Sequence, residues 1–162
     1  GPAAFGRGAL HMRRKDREMP RSFAEGVADK CEWAVLSMVG PEGKPYCVPL
    51  SIVRDGNAVY FHTARLGRKL DCLRKNPNVC MAMVGDTHRP EDDFTTAYES
   101  AILEGTAAEV SEEAEKRHAL RILCERHTPA NMGNFESELA RSLAVTGIWK
   151  IEIQSITGKR KK

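Results

Sequence analysis

Ala58-Val59-Tyr60-Phe61-His62-Thr63-Ala64-Arg65-Leu66-Gly67-Arg68-Lys69-Leu70-Asp71-Cys72-Leu73-Arg74-Lys75 is the segment from which the architecture of this chain can be worked out. Its first five residues are rich in β-branched and aromatic side chains and follow Asp55-Gly56-Asn57, a turn signal, so 58–62 reads as the second arm of a hairpin. The period then changes. Leu66, Leu70 and Leu73 share one helix face, and Asn76-Pro77 stops the run. A strand thus ends in a histidine and a threonine, and a glycine turn feeds a short helix whose first turn carries Arg68 and Lys69. Helix starts expose unpaired amide N–H groups, and a hydroxyl with two adjacent cations suits a phosphate monoester.

Upstream, 33–39 is a short apolar strand, 40–45 is a Gly/Pro turn, and 46–53 is the return strand, so three antiparallel strands are expected between 33 and 62. Ser22 and Glu25 have capping-box spacing for a helix through about residue 30. Downstream, 78–84 reads as a strand, 85–93 as a polar loop, and 98–110 as a long strand bent or bulged at Gly105. Ser111-Glu112-Glu113 opens a helix that Thr128-Pro129 ends, 136–143 is a shorter helix, and 145–156 alternates as a last strand. About six strands in hairpins, with helices inserted, predict a mainly β fold: a small antiparallel barrel with helical additions. A parallel doubly wound sheet is disfavoured, because no Gly-rich fingerprint follows a strand into a crossover helix.

Composition sets the outer limits. The chain has 162 residues, 41% hydrophobic and 29% charged, which fits one domain with its own core. Residues 1–11 are Gly/Ala-rich and aperiodic and read as an expression remnant before Met12, leaving 12–162 as the single domain. No apolar run suits a membrane span, and no secretory signal is evident, so a cytoplasmic location is expected. The five cysteines, Cys31, Cys47, Cys72, Cys80 and Cys124, are odd in number without a Cys-x-x-Cys pair, which points to buried thiols rather than a zinc site. Lys159, Arg160, Lys161 and Lys162 supply four positive charges of a net +3, and only 6% of residues are aromatic, so nucleic acid is not an expected partner.

Several segments, taken in order, resemble the nitroimidazole-resistance (Nim) proteins of the pyridoxamine 5′-phosphate oxidase-like, FMN-binding split-barrel group. They are Met12 to Glu18, Tyr60 to Ala64 with Gly67-Arg68-Lys69, Leu73 to Cys80, Tyr98-Glu99-Ser100, and Glu104 to Ala107. The resemblance implies a homodimer with FMN in a groove between subunits. The 5′-phosphate would be gripped at Thr63, Arg68 and Lys69, and the isoalloxazine ring would lie along Pro49-Leu50-Ser51, mainly against main chain. His62 would sit beside flavin and substrate as a proton donor, an imidazole titrating near neutrality. Tyr98 and Trp149 are further cofactor candidates, each also readable as core packing. No metal-ligand spacing is present. The expected activity is FMN-dependent reduction of a nitro-aromatic or similar small acceptor, with NAD(P)H or another reductant as electron source. A haem- or flavin-binding module without catalysis, and a pyridoxamine-phosphate oxidase, are the alternatives.

Overall fold

The computed structural model describes residues 12–162, so the 1–11 segment lies outside the described residues. In chain order the elements are β1 (Glu18–Met19), α1 (Arg21–Lys30), β2 (Ala34–Val39), β3 (Pro45–Leu50), β4 (Val53–Asp55), β5 (Ala58–Thr63), α2 (Arg68–Lys75), β6 (Asn78–His88), β7 (Ala97–Glu109), α3 (Glu113–His127), α4 (Phe135–Ser142) and β8 (Gly147–Lys161). Short 3₁₀ segments occupy Lys15–Arg17 and Pro129–Asn134. Every strand pairing is antiparallel, in the order β3-β2-β6-β7-β8-β5-β4, with β1 added beside the end of β8.

Connectivity rolls this sheet into a barrel. β3 and β4 stand at opposite ends of the strand order, yet only Ser51 and Ile52 separate them in sequence. Three residue steps reach at most roughly 11 Å, so the two ends must meet. The seam between them is the split of a split β-barrel. The expected return strand 46–53 is therefore two strands, because Ile52 turns its side chain into the core at 1% exposure and its carbonyl leaves the ladder. That carbonyl accepts from Arg126 at 2.8 Å and from His127 Nε2 at 2.7 Å, both on α3.

Strand alternation fills the barrel. Leu36, Phe61, Met81, Leu103 and Ile151, from five different strands, are all fully buried in one cluster. Each such side chain contributes about 1.5–3 kcal/mol on burial. α1 closes one end with Ala24, Val27 and Ala28, and it lies so close to β8 that a Cβ at Gly158 would stand 3.0 Å from that of Ala24. α3 covers the outer face of β5 and β8 through a second cluster that includes Tyr60, Ile148, Ala119 and Leu123. There the Tyr60 hydroxyl donates to Glu115 at 2.7 Å, and Lys150 reaches the same carboxylate at 3.0 Å.

The structure corrects several boundaries. β8 runs to Lys161 rather than 156, and β6 runs to His88, so only the later part of the expected 85–93 loop is irregular. A register shift between Val84 and Thr87 admits this extension, and the Asp86 amide donates to Glu99 at 2.8 Å. Ser22 and Ser111 do not cap: Pro20 precedes α1, Glu112 precedes α3, and neither helix start has a side-chain cap. The irregularity at Gly105 is present, at a shift between Glu104 and Gly105, where a Cβ would run into the Glu152 carbonyl oxygen. All five cysteines are free, but the buried ones are Cys31 and Cys72; Cys47 is exposed.

Candidate functional site

The end of β5, the turn after it and the start of α2 gather most of the expected phosphate-binding groups. Thr63 pairs with Gly147 at the first residue of β8 and is 8% exposed, the one buried polar side chain among the described residues. Gly67 stands at the N-cap of α2 with φ 141°, a conformation that a side chain would strain. The first intrahelical bond runs from the Asp71 amide to the Gly67 carbonyl at 3.2 Å, leaving the amides of Arg68 and Lys69 without helical acceptors. Asp71 is the one acidic residue in that turn.

Lys69 is half-buried, with its ammonium 5.8 Å from the centre of the Phe61 ring. Burial lowers its pKa from the usual lysine value, and no carboxylate offsets that cost. Arg68 is exposed, but its guanidinium does not hang free: it lies 4.1 Å above the ring of Tyr46 on β3. That stack ties the start of α2 to the strand that carries Pro49 and Leu50. A desolvated ammonium, a buried hydroxyl and uncapped helix amides form a donor set with no acceptor of its own. It fits a phosphate group.

His62 faces the outer side of β5, opposite Ile148 and on the same face as Tyr60. Its pKa is lowered, first by loss of water, then by the Lys69 charge, then by His127. The ring is therefore neutral at pH 7, and Lys69 lies close enough to act on it. Pro49 is exposed on β3, the sheet's edge strand, where a missing N–H breaks no ladder. Leu50 is 9% exposed and sends its side chain into the core, so it offers only main chain to the surface; Ser51 is half-buried at the seam.

Of the two remaining sequence candidates, Trp149 packs in the core behind this turn and Tyr98 lies apart from it. Trp149 pairs with Phe61 and is 4% exposed within the barrel core, its indole N–H buried without an acceptor. Tyr98 pairs with Lys161, fourteen residues along β8 from the Gly147 that faces Thr63. At about 3.3 Å per residue it is at the far end of that strand. Within one chain, then, His62, Thr63, Arg68 and Lys69 share one strand–turn–helix junction, which the Arg68–Tyr46 stack ties to β3, while Tyr98 does not join them.

Three residues at this site escaped the sequence reading: Tyr46, Arg126 and His127. Arg126 donates to the carbonyls of Ala28, Ile52 and Cys31 at 2.9, 2.8 and 2.7 Å, locking α1, the seam and α3 together. These partners are 74 to 98 residues away, and no local pattern announces them.

The family model described as pyridoxamine 5′-phosphate oxidase matches residues 27–160. No curated protein matches the chain significantly. Among solved structures, a candidate 5-nitroimidazole antibiotic resistance protein from Bacteroides thetaiotaomicron is 23% identical, with a TM-score of 0.72 over 88% of this chain and 86% of that one. The flavocytochrome Anf3 from Azotobacter vinelandii is 20% identical, with a TM-score of 0.79 over 94% and 72%. A FAD and heme binding protein from Mycobacterium smegmatis is 20% identical, with a TM-score of 0.73 over 90% and 74%. At these identities the likeness is one of fold.

Proposed function

Because the chain belongs to the pyridoxamine 5′-phosphate oxidase family, we propose that it is a flavin-dependent oxidoreductase that holds FMN and reduces a nitro-aromatic or similar small acceptor. One observation carries the reading: half-buried Lys69, with no carboxylate to offset its burial, stands at the start of α2 in the turn that follows buried Thr63. An ammonium is desolvated at a cost, and a phosphate is the partner that recovers it. Thr63, Lys69 and the α2 amides would bind the 5′-phosphate, with Arg68 swinging from Tyr46 to join them. Main chain along Pro49-Leu50-Ser51 would border the ring. Bound flavin supplies the electron transfer, and the protein supplies position and exclusion of water.

His62, at the end of the strand that leads into this turn, would be the proton source. Its lowered pKa makes the neutral ring the resting form at pH 7, so it orients a substrate oxygen by N–H donation there and becomes a full acid as the pH falls. A second copy of the chain would complete the groove. The outer face of β2, β6 and β7 aligns exposed Val35 and Ile102 on either side of Ala82, with exposed Val84 one row away, an apolar face of the sort that a homodimer buries. The nitro-aromatic class rests on the resemblance of residues 60–69 and 98–107 together with the similarity to the Bacteroides protein, and NAD(P)H is the proposed reductant.

The test is the absorption spectrum of protein purified without added cofactor, then anaerobic titration with a reductant and a nitroimidazole. Paired flavin bands that bleach with reductant and return with nitroimidazole support the proposal. A Soret band in their place would assign haem and overturn it. His62→Ala should keep the flavin and slow the reoxidation.

A further inference from the structure

The basic C-terminal run has the look of a solvated end in sequence, but the structure builds it into the sheet. Lys159, Arg160 and Lys161 are half-buried residues of β8 paired along β7, and Lys159 pairs also with β1. The register pairs Glu18 with Lys159 and Glu99 with Arg160, and Arg17 lines the same cleft as Arg160 and Lys161. Around that cleft Arg14, Arg17, Arg160, Lys161 and Lys162 gather with one carboxylate, Asp16.

Counter-charges are spent elsewhere. Asp16 is taken by Arg14 at 2.6 Å, and Asp86 and Glu99 are taken by Lys30 at 3.2 and 2.5 Å. Glu18 is exposed and forms no ion pair among the described residues, and neither do Arg17, Lys159, Arg160 or Lys161. Two of these cations lie instead over aromatic rings. Lys159 lies 5.8 Å over the Tyr98 ring and Arg160 lies 5.9 Å over that of Phe23. Desolvation would raise the Tyr98 phenol, yet the nearby cations Lys159 and Arg17 outweigh it and lower its pKa. Two clefts, of about 340 and 260 Å³, flank Arg160, Lys161 and Lys162, one lined also by Arg14, Asp16 and Arg17 and the other by Asp86, His88, Tyr98 and Glu99, whose three carboxylates are the ones already paired with Arg14 and Lys30.

We propose that this patch is a binding site for a small phosphate-bearing anion that carries two or more negative charges. A single carboxylate would neutralise one cation of several, whereas a phosphate chain can meet the guanidinium of Arg17 and the ammonium groups of Lys159 and Lys161 together. The site is separate from the Thr63-Lys69 turn in this chain and does not depend on flavin binding there.

Calorimetric titration of the full chain with inorganic pyrophosphate at low salt tests it, with ADP in a second arm. Saturable one-to-one binding, weakened roughly tenfold in Arg17→Gln and again in Lys161→Gln but unchanged in Lys44→Gln, supports the site. Equal affinity for both probes assigns recognition to the phosphate chain, and tighter ADP binding assigns it to a nucleotide. Bound anion should also raise the pH at which Tyr98 ionises, read by tyrosinate absorbance in variants shown folded by circular dichroism. Absence of saturable pyrophosphate binding overturns the proposal. So does binding that both variants leave intact, or a short single-stranded RNA that binds far more tightly through the same residues.

Discussion

Replacing Arg126 by Leu removes the one side chain that bridges α1, the seam and α3. Its guanidinium makes three bonds of 2.7–2.9 Å to main-chain carbonyls. The loss is uneven. Ile52 O keeps the bond from His127, and Ala28 O keeps a weak one from the Cys31 thiol at 3.5 Å, but Cys31 O is left bare. Bonds from charged donors are worth about 1.5–3 kcal/mol each, and a bare buried carbonyl costs about 1–3 kcal/mol. Discounting for the two carbonyls that retain a donor gives a destabilisation of about 3 kcal/mol, a large share of the ~5–15 kcal/mol that holds a domain together. In urea, with a slope of about 2 kcal/mol/M, the midpoint should fall by about 1.5 M. Arg126→Lys, which can reach a single carbonyl, should recover about a third of the loss. The seam also positions Pro49-Leu50-Ser51, so flavin affinity should weaken in parallel. A loss below about 1 kcal/mol would refute the argument that Arg126 closes the barrel.

Gly105→Ala should destabilise by about 2–3 kcal/mol in the same denaturation assay, because the new Cβ meets Glu152 O and stands 2.6 Å from a methyl of Ile151; a cost near zero would mean that the β7–β8 register is not the one described. His62 titrates below 6.5 in the folded state, so the unfolded chain binds the extra proton first, and its contribution to stability is complete above 6.5 and declines as the pH falls toward the folded value. Lys69→Met should move the His62 resonance in an NMR titration upward but not fully to 6.5, since desolvation is the larger cause; an unmoved resonance would separate the two residues.

How much of this was readable in the sequence depends on range. The hairpin turn at Asp55-Gly56-Asn57, the α2 segment and the Gly105 irregularity are local, and period and turn chemistry specify them within a few residues. That Thr63, Arg68 and Lys69 share one strand–helix junction was legible for the same reason, since they lie within seven positions of one another. The seam was not. Nothing between Tyr46 and Val53 says that the strand leaves one edge of the sheet for the other, because the break at Ile52 is enforced by Arg126 and His127 on a distant helix. The end of β8 was missed because Gly158 and a charged run mimic a terminus, whereas packing of α1 on Gly158 and pairing with β1 keep the strand going. Ser22 and Ser111 illustrate the converse: capping residues in the right pattern, unused because the chain enters each helix from a neighbouring position.

The most direct test of the account is an equilibrium titration of the apoprotein with FMN, followed by quenching of flavin fluorescence, in the wild type and in Lys69→Ala. The account predicts micromolar or tighter binding by the wild type and a loss of about 10- to 100-fold in the variant, the worth of one charged hydrogen bond to phosphate, with riboflavin binding weakly to both. Equal affinity of the two proteins for FMN, or wild-type affinity for riboflavin that matches that for FMN, would contradict it.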